Sequence, residues 1–358
     1  MNTILGYIQE IEKDCLHIIE HRKQITKPFV DLVMKSSVDE LIFLGSGTSC
    51  HAAMVAKPFI EEICDIKVVT GFPTIFIDQT KKLNKQSIVV GISQSGTSSS
   101  TKRALAFAKE LGVSTMLFTS NLSSFIQEDA DALINIDCGD ERAVAKTKGY
   151  QASIITLWLC ALEWALLTHK VNPAEYEQYL ERLTKTVRNT PTLIEQSTKW
   201  YFLNKSKLSL ASNFMVVGCE AQYGNVLEGA LKLIETVRIP VAGYELEEFM
   251  HGIYNAIHEH TFLIYIGHQS PYLDRLMKLK NYLDLKTNFQ FLITKKNEDN
   301  DSIRDCVLDF IDDRYFCGLE YIVPFQIICH YLPMMKGIDP FISGDPNFHK
   351  TLSSKIVG

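Results

Sequence analysis

The sequence lacks the marks of several protein classes. Its nine cysteines are scattered and form no Cys-x-x-Cys pair, so a zinc site is not expected and a reducing cytoplasm is the natural compartment. The net charge of −6 gives no electrostatic reason to expect nucleic acid or an anionic membrane as a partner. No apolar run reaches the length of a membrane span, and the N-terminus lacks a basic segment followed by a hydrophobic core.

The chain instead repeats itself at a nearly constant offset. Apolar segments of the first half have counterparts in the second: those starting at Leu41, Ile88, Thr115 and Leu133 match those starting at Phe214, Leu263, Gln290 and Leu308. Because these strands are almost continuously apolar and alternate with helices, we expect them to be parallel and buried on both faces. The predicted fold is α/β, with two doubly wound, flavodoxin-like parallel-sheet domains in tandem.

This repeat sets the predicted boundaries of the domains. Residues 1–35 have helical periodicity and form an N-terminal helical extension. The first domain covers residues 36–185 and the second covers residues 209–343, with the junction near residues 186–208. Each half closes with a long apolar helix, at residues 148–168 and 315–335. Residues 344–358 form a polar C-terminal tail, which could fray or fold over the active site as a lid.

A hydroxyl-rich loop at residues 93–101 is the most informative part of the chain. It follows the predicted buried strand at residues 88–92 and holds five serines, two threonines, one glycine and no charged residue. A helix N-terminus carries partial positive charge, and hydroxyl groups add hydrogen-bond donors. The loop therefore predicts a phosphate monoester site, although a serine-rich turn that only caps a helix is the alternative. The equivalent loop of the second half contains Pro271 and has lost the hydroxyl cluster.

A second small turn, at residues 45–49, follows the first strand. It lacks the third glycine of a dinucleotide-binding fingerprint and the lysine of a nucleotide P-loop. We therefore expect Gly47, Thr48 and Ser49 to hold sugar hydroxyls or to share the phosphate. A tight strand–helix connection without a ligand is the alternative.

The second half offers acid–base candidates. Glu228, Lys232 and Glu235 share one helix face, which is either a solvated salt-bridged stripe or a partly buried site. A carboxylate against an apolar wall would have its pKa raised toward neutrality, as a general base requires. His251 lies in a turn before glycine and is either catalytic or structural. His258 and His260 have metal-like spacing without an acidic or cysteine partner, so no metal site is expected.

Taken together, these motifs resemble the sugar-isomerase (SIS) family, specifically the tandem SIS module of glucosamine-6-phosphate synthase. The resemblance implies that Ser93, Gln94, Ser95 and Ser98 hold a sugar 6-phosphate and that Thr48 and Ser49 contact the sugar. It also implies that Glu235 moves a proton between C1 and C2, that His251 opens the sugar ring, and that Lys350 forms a Schiff base. The remaining residues that it places at the substrate are Gly47, Val144, Ala145, Lys146, Glu228 and Lys232.

The family pattern also shapes the functional expectation. Lys146 stands where the synthase module has serine, and we expect no glutaminase domain. The leading hypothesis is an enzyme acting on an amino-sugar or ketosamine 6-phosphate, which couples C1–C2 proton transfer to C–N bond cleavage. The alternatives are an aldose–ketose phosphosugar isomerase and a non-catalytic phosphosugar sensor. We expect no metal or organic cofactor, no nucleic acid or membrane partner, and a cytoplasmic homodimer whose shared active site takes His251 from the neighbouring subunit.

Overall fold

The computed structural model describes residues 3–35, 37–297 and 302–356. The chain begins with two helices, α1 (Ile4–Glu20) and α2 (Arg22–Val33), where the helical periodicity predicts them. The first half continues in this order: β1 (Glu40–Leu44), α3 (Thr48–Cys64), β2 (Lys67–Gly71), α4 (Pro73–Gln79), β3 (Ser87–Ile92), α5 (Ser99–Glu110), β4 (Ser114–Thr119), β5 (Ala132–Asn135) and α6 (Lys148–Leu167).

The second half has the same rhythm after a helical connection. The elements are α7 (Pro173–Arg188), α8 (Thr190–Leu208), β6 (Phe214–Gly218), α9 (Tyr223–Val237), β7 (Val241–Glu245), α10 (Leu246–Phe249), β8 (Leu263–Gly267), α11 (Leu273–Leu283), β9 (Gln290–Lys295), β10 (Cys306–Leu308), α12 (Gly318–Tyr321), α13 (Val323–Met335) and α14 (Phe348–Thr351). The closing helix expected at residues 315–335 is divided at Ile322. Pro324 lies in the first turn of α13, where its missing N–H group costs no helical hydrogen bond.

Both sheets are fully parallel and have the same strand order, β2-β1-β3-β4-β5 in the first and β10-β9-β8-β6-β7 in the second. This confirms the prediction of two doubly wound parallel-sheet domains. In each sheet the order reverses between the first and third strands, and ligands of such folds bind beside the carboxyl ends of the strands at that point. Leu44 at the end of β1 is paired with Gly91 near the end of β3, so the loops that follow these strands are neighbours.

The core of the first half includes the long helix α6. Its length and hydropathy are those of a membrane span, which corrects the expectation that no apolar run is long enough. However, 89% of that helical window is buried within the protein. Its neighbours include α3 and α2, so burial in the core accounts for its apolar composition.

The contacts of the chain divide it into two compact units. The Ser93 unit contains Lys13–Glu141, Lys148–Glu181 and Asp345–Gly358, and holds the first sheet. The Glu235 unit contains Met1–Glu12, Arg142–Thr147 and Arg182–Gly344, and holds the second sheet. The C-terminal tail therefore belongs to the same unit as the hydroxyl-rich loop.

Candidate functional site

The hydroxyl-rich loop begins directly at the end of a buried strand. All six residues of β3 are buried, and Ser93 follows them in the core. The loop ends where α5 begins, and the Ser98 side chain caps that helix by accepting a hydrogen bond from the Thr101 backbone N–H group at 3.3 Å. Gly96 has a φ of +66°, and a Cβ there would lie 2.4 Å from that of Ser124. The tight path of the loop therefore requires glycine at this position.

Several hydrogen-bond donors of this loop are arranged in a way that suits an anion. In the part of the chain that the structure describes, the backbone N–H groups of Gln94, Ser95 and Thr97 have no hydrogen-bond partner. The hydroxyl groups of Ser95 and Thr97 lie 2.7 Å apart. Open N–H groups close together in a loop beside a helix N-terminus form a positive concavity, which suits phosphate oxygens.

The side chain of Gln94 is held by residues far away in sequence. Its Nε2 atom donates to the Cys138 sulfur at 3.4 Å, and burial raises the pKa of that thiol. It also lies against the first turn of α6, where a Cβ on Gly149 would be only 1.9 Å from the Gln94 Nε2 atom. Gly149 is thus part of this site, although the sequence analysis did not single it out. A glycine at the start of an otherwise bulky, buried helix was the available signal.

The turn after β1 lies beside this loop, as the pairing of β1 with β3 requires. Gly47 has a φ of +54° and precedes α3, which begins at Thr48. Gly45 has no room for a side chain, since a Cβ there would be 2.8 Å from that of Ser49. The structure therefore brings Gly47, Thr48 and Ser49 to the same sheet edge as the hydroxyl-rich loop.

The Glu235 unit carries a buried ion cluster on α9. The Lys232 ammonium group lies 2.6 Å from a carboxylate oxygen of Glu235 and 3.5 Å from one of Glu228. Glu228 and Lys232 are almost fully buried, so these two do not belong to a solvated stripe. Glu235 keeps 27% of its side chain exposed. The close approach of α13 is permitted by Gly229, where a Cβ would lie 2.7 Å from the Phe325 ring.

The two carboxylates of this cluster favour the charged form of Lys232. Burial works to lower the pKa of Lys232, but the attraction of Glu228 and Glu235 outweighs it and raises the pKa above its ordinary value. The nearest charged neighbour of Glu235 is therefore a buried ammonium group. A neighbouring cation favours the ionised carboxylate, the form that accepts a proton.

The remaining residues predicted to lie at the substrate belong to three separate segments of the chain. His251 is exposed in the turn that follows α10, next to Gly252 with its φ of +122°. Lys350 is exposed on the short helix α14 of the Ser93 unit. Val144, Ala145 and Lys146 belong to the Arg142–Thr147 segment of the Glu235 unit, and Ala145 is fully buried. Within residues 3–35, 37–297 and 302–356, no group of three His, Cys, Asp or Glu side chains could hold a metal ion.

The equivalent loop of the second sheet is built differently. Its Gln269 backbone N–H group donates to the Asp312 carboxylate at 3.1 Å. In this second loop, the protein's own Asp312 therefore accepts from a backbone N–H group. The equivalent N–H group of the first loop, that of Gln94, has no partner among the described residues. Because the Asp312 carboxylate would repel an incoming anion, the second loop is a poorer candidate for anion binding than the first.

Comparisons with known proteins agree with this architecture. A family model described as the SIS domain matches residues 36–163. A Clostridium difficile 630 protein provisionally assigned as a phosphosugar isomerase has a crystal structure that is 31% identical, with a TM-score of 0.92 and coverage of 99% of each chain. A Salmonella typhimurium LT2 protein provisionally assigned to sugar binding is also 31% identical, with a TM-score of 0.81 and coverage of 91% of this chain and 99% of that one.

Curated relatives match over most of this chain. The glutamine–fructose-6-phosphate aminotransferase (isomerizing) of Clostridium tetani is 26% identical over 307 residues, which is 84% of this chain and 50% of the relative. The chain spans about half the length of the curated relatives it matches.

Proposed function

The chain belongs to the SIS domain family, and on that premise we propose that it is an enzyme acting on amino-sugar or ketosamine 6-phosphates. The family assignment itself makes it a phosphosugar isomerase- or deaminase-type protein. The proposal adds the reaction, which is C1–C2 proton transfer coupled to cleavage of a C–N bond.

The observation that carries the proposal is the set of open donors in the hydroxyl-rich loop. The N–H groups of Gln94, Ser95 and Thr97 lack partners among the described residues, and they lie beside the hydroxyl groups of Ser93 and Ser98. A phosphate monoester supplies enough acceptor oxygens for all of these donors. We assign them the substrate's 6-phosphate, with Thr48 and Ser49 contacting its sugar hydroxyls.

Proton transfer is assigned to Glu235. Its carboxylate is half-buried, and Lys232 at 2.6 Å holds it in one position and in the ionised form. In a ketosamine, Glu235 takes the proton from C1 and returns it at C2, which converts the amine into an imine at C1. Water then adds to C1, the C–N bond breaks, and an amine leaves together with an aldose 6-phosphate. His251 serves ring opening or protonation of the leaving amine.

An aldose–ketose isomerase is the second candidate. It is favoured by the isomerase assignment of the Clostridium difficile protein. The same Glu235 would move the proton between C1 and C2 of a sugar without nitrogen. Lys350 would form a Schiff base with the open-chain ketose, which acidifies the C1–H bond. The extra cation at Lys146 distinguishes this chain from the synthase pattern and would alter substrate selectivity.

The setting of the enzyme is part of the proposal. All nine cysteines are free thiols buried in the fold, which fits a reducing cytoplasm. We propose a homodimer in which His251 acts in the neighbouring subunit, because this histidine is exposed in its own chain. The domain limits 36–185 and 209–343 and the role of the tail over the site stand as proposals too.

The test compares three substrates in one assay: a glycated amino acid 6-phosphate, glucosamine 6-phosphate and fructose 6-phosphate. Amine release from either of the first two supports C–N cleavage, and interconversion of the third alone supports the isomerase. Glu235→Gln should lower kcat by about a hundred- to ten-thousandfold, at the scale of a lost general base, and leave phosphosugar affinity within a fewfold.

Glu195→Gln is the matched control. Glu195 is an exposed carboxylate of the same unit that also pairs with a lysine on its own helix, Lys199 at 2.5 Å. Its replacement should leave kcat unchanged. Full turnover by the Glu235 variant would exclude Glu235 as the base, and binding without turnover of any substrate by the unmodified protein would indicate a sensor.

A further inference from the structure

The C-terminal tail is paired with the phosphate loop of its own unit. The Ile356 backbone N–H group donates to the Thr97 carbonyl at 2.8 Å. The Ser354 carbonyl accepts from the backbone N–H group of Ser99 at 3.4 Å and from its hydroxyl group at 3.2 Å. We call residues 354–356 the C-terminal strap. These bonds make Lys355 and Ser98 an isolated antiparallel bridge.

The type of bridge decides where the Lys355 side chain leaves the backbone. The hydrogen bonds join the residues on either side of Ser98 and Lys355, so these two form a non-hydrogen-bonded pair. In such a pair the Cβ atoms lie about 5 Å apart on the same face. The Lys355 side chain therefore leaves the backbone on the same face as the Ser98 hydroxyl group, which caps α5 at the end of the hydroxyl-rich loop.

The loop itself offers no positive side chain. Residues 93–101 are uncharged, and the ammonium group of Lys102 is engaged by Asp129 at 2.7 Å and by the Phe125 carbonyl at 2.8 Å. A phosphate dianion on this loop therefore meets hydroxyl and N–H donors but no cation from the loop. A positively charged side chain that contacts the phosphate would have to come from another segment of the chain.

Lys355 is positioned to supply that charge. It is exposed, and among the residues that the structure describes it has no acidic partner. Its ammonium group also acts on His349, whose pKa is lowered by burial and by the nearby Lys355 charge. The C-terminal strap accepts from the N–H group of Ser99, the first residue of α5. The N–H groups of Gln94, Ser95 and Thr97 have no partner among the described residues.

We propose that the C-terminal strap is a structural part of the phosphate site and that Lys355 provides its cationic contact to the substrate's phosphate. The inference rests on the proposed function, because it takes the hydroxyl-rich loop as the phosphate-binding element. It assigns phosphate affinity to a residue outside that loop. It also makes docking of the strap and binding of phosphosugar mutually stabilising, since each orders the same loop.

The experiment measures the Kd of fructose 6-phosphate and of unphosphorylated fructose by calorimetry on the full-length protein. Lys355→Ala should raise the Kd of the phosphosugar about tenfold, the low end for a hydrogen bond to a charged group. Lys355→Arg should restore most of the affinity. Ile356→Pro, which removes the N–H bond to Thr97, should weaken phosphosugar binding even though Lys355 is retained.

Lys81→Ala is the matched control, since Lys81 is an exposed lysine in the loop before β3, at the opposite edge of the same sheet. Unchanged phosphosugar affinity in Lys355→Ala would overturn the inference while leaving the proposed function intact. An equal loss in Lys81→Ala would also overturn it, because the effect would then be one of net charge. Failure of the unmodified protein to bind any phosphosugar would reject the proposed function and the inference together.

Discussion

Gly149→Ala tests whether a backbone position in one helix controls the phosphate loop. The new Cβ would lie 1.9 Å from the Nε2 atom and 2.4 Å from the Cδ atom of Gln94, inside the 3.0 Å limit that Cβ contacts essentially never cross. The backbone of α6 is buried and cannot move aside easily, whereas the amide end of Gln94 can rotate. We therefore expect Gln94 to leave its position and its contact with Cys138.

The two measurable effects differ in size. Overpacking costs about 1–3 kcal/mol, but alanine regains up to about 1 kcal/mol of helix propensity over glycine. With the full gain in helix propensity, the free energy of unfolding should therefore fall by no more than about 2 kcal/mol. Displacement of Gln94 also moves its open backbone N–H group, and loss of that hydrogen bond to a charged phosphate costs about 1.5–3 kcal/mol, which corresponds to a rise of about ten- to a hundredfold in Kd.

The assay is a double-mutant cycle on phosphosugar Kd, with stability followed by urea denaturation. If Gly149 acts through Gln94, the Gly149→Ala change should add little once Gln94→Ala has already removed the amide. Gly71→Ala is the control, because a Cβ there meets nothing closer than 4.0 Å and both affinity and stability should persist. Additive losses in the double variant would refute the reasoning, as would a Gly149→Ala protein with normal affinity.

Two further predictions concern the loop and the ion cluster. Gly96→Ala combines a φ of +66° with a Cβ 2.4 Å from that of Ser124, so it should lower the urea midpoint and weaken phosphosugar binding; normal values for both would contradict the tight path of the loop. Lys232→Met leaves the buried Glu228 without its cation and should cost about 3–5 kcal/mol of unfolding free energy. Since the two carboxylates raise the pKa of Lys232, that loss should be full at neutral pH and shrink as alkaline pH deprotonates lysine in the unfolded chain, and a loss that does not change there would contradict an electrostatic origin.

The sequence predicts the buried strands well because a strand that is buried on both faces is apolar along its whole length. β3 lies inside its sheet and is apolar along its whole length, and its counterpart β8 has the same character. The edge strands β2 and β7 were missed. Each pairs with one neighbour only and is largely half-exposed, so neither has a continuous apolar run to reveal it.

The site is less predictable, because several of its contacts join residues that are distant in sequence. The hydroxyl groups of the loop are visible in the sequence, but the fit of Gln94 against Gly149 depends on how α6 packs. The choice between a solvated and a buried ion cluster at Glu235 was left open for a related reason. Helical spacing places Lys232 on the same face, but only packing against α13 shows that this ammonium group is buried rather than solvated.

The difference between the two loops follows from one acceptor and one proline. Each half turns at the same topological point, and each loop presents backbone N–H groups there. In the second half, Asp312 accepts from the Gln269 N–H group, and Pro271 removes another donor. A fixed carboxylate accepts from the Gln269 N–H group, whereas the N–H groups of Gln94 and Ser95 have no partner among the described residues and are available to an acceptor from outside. The proposed phosphate site thus lies in the half of the repeat whose loop N–H groups have no partner among the described residues.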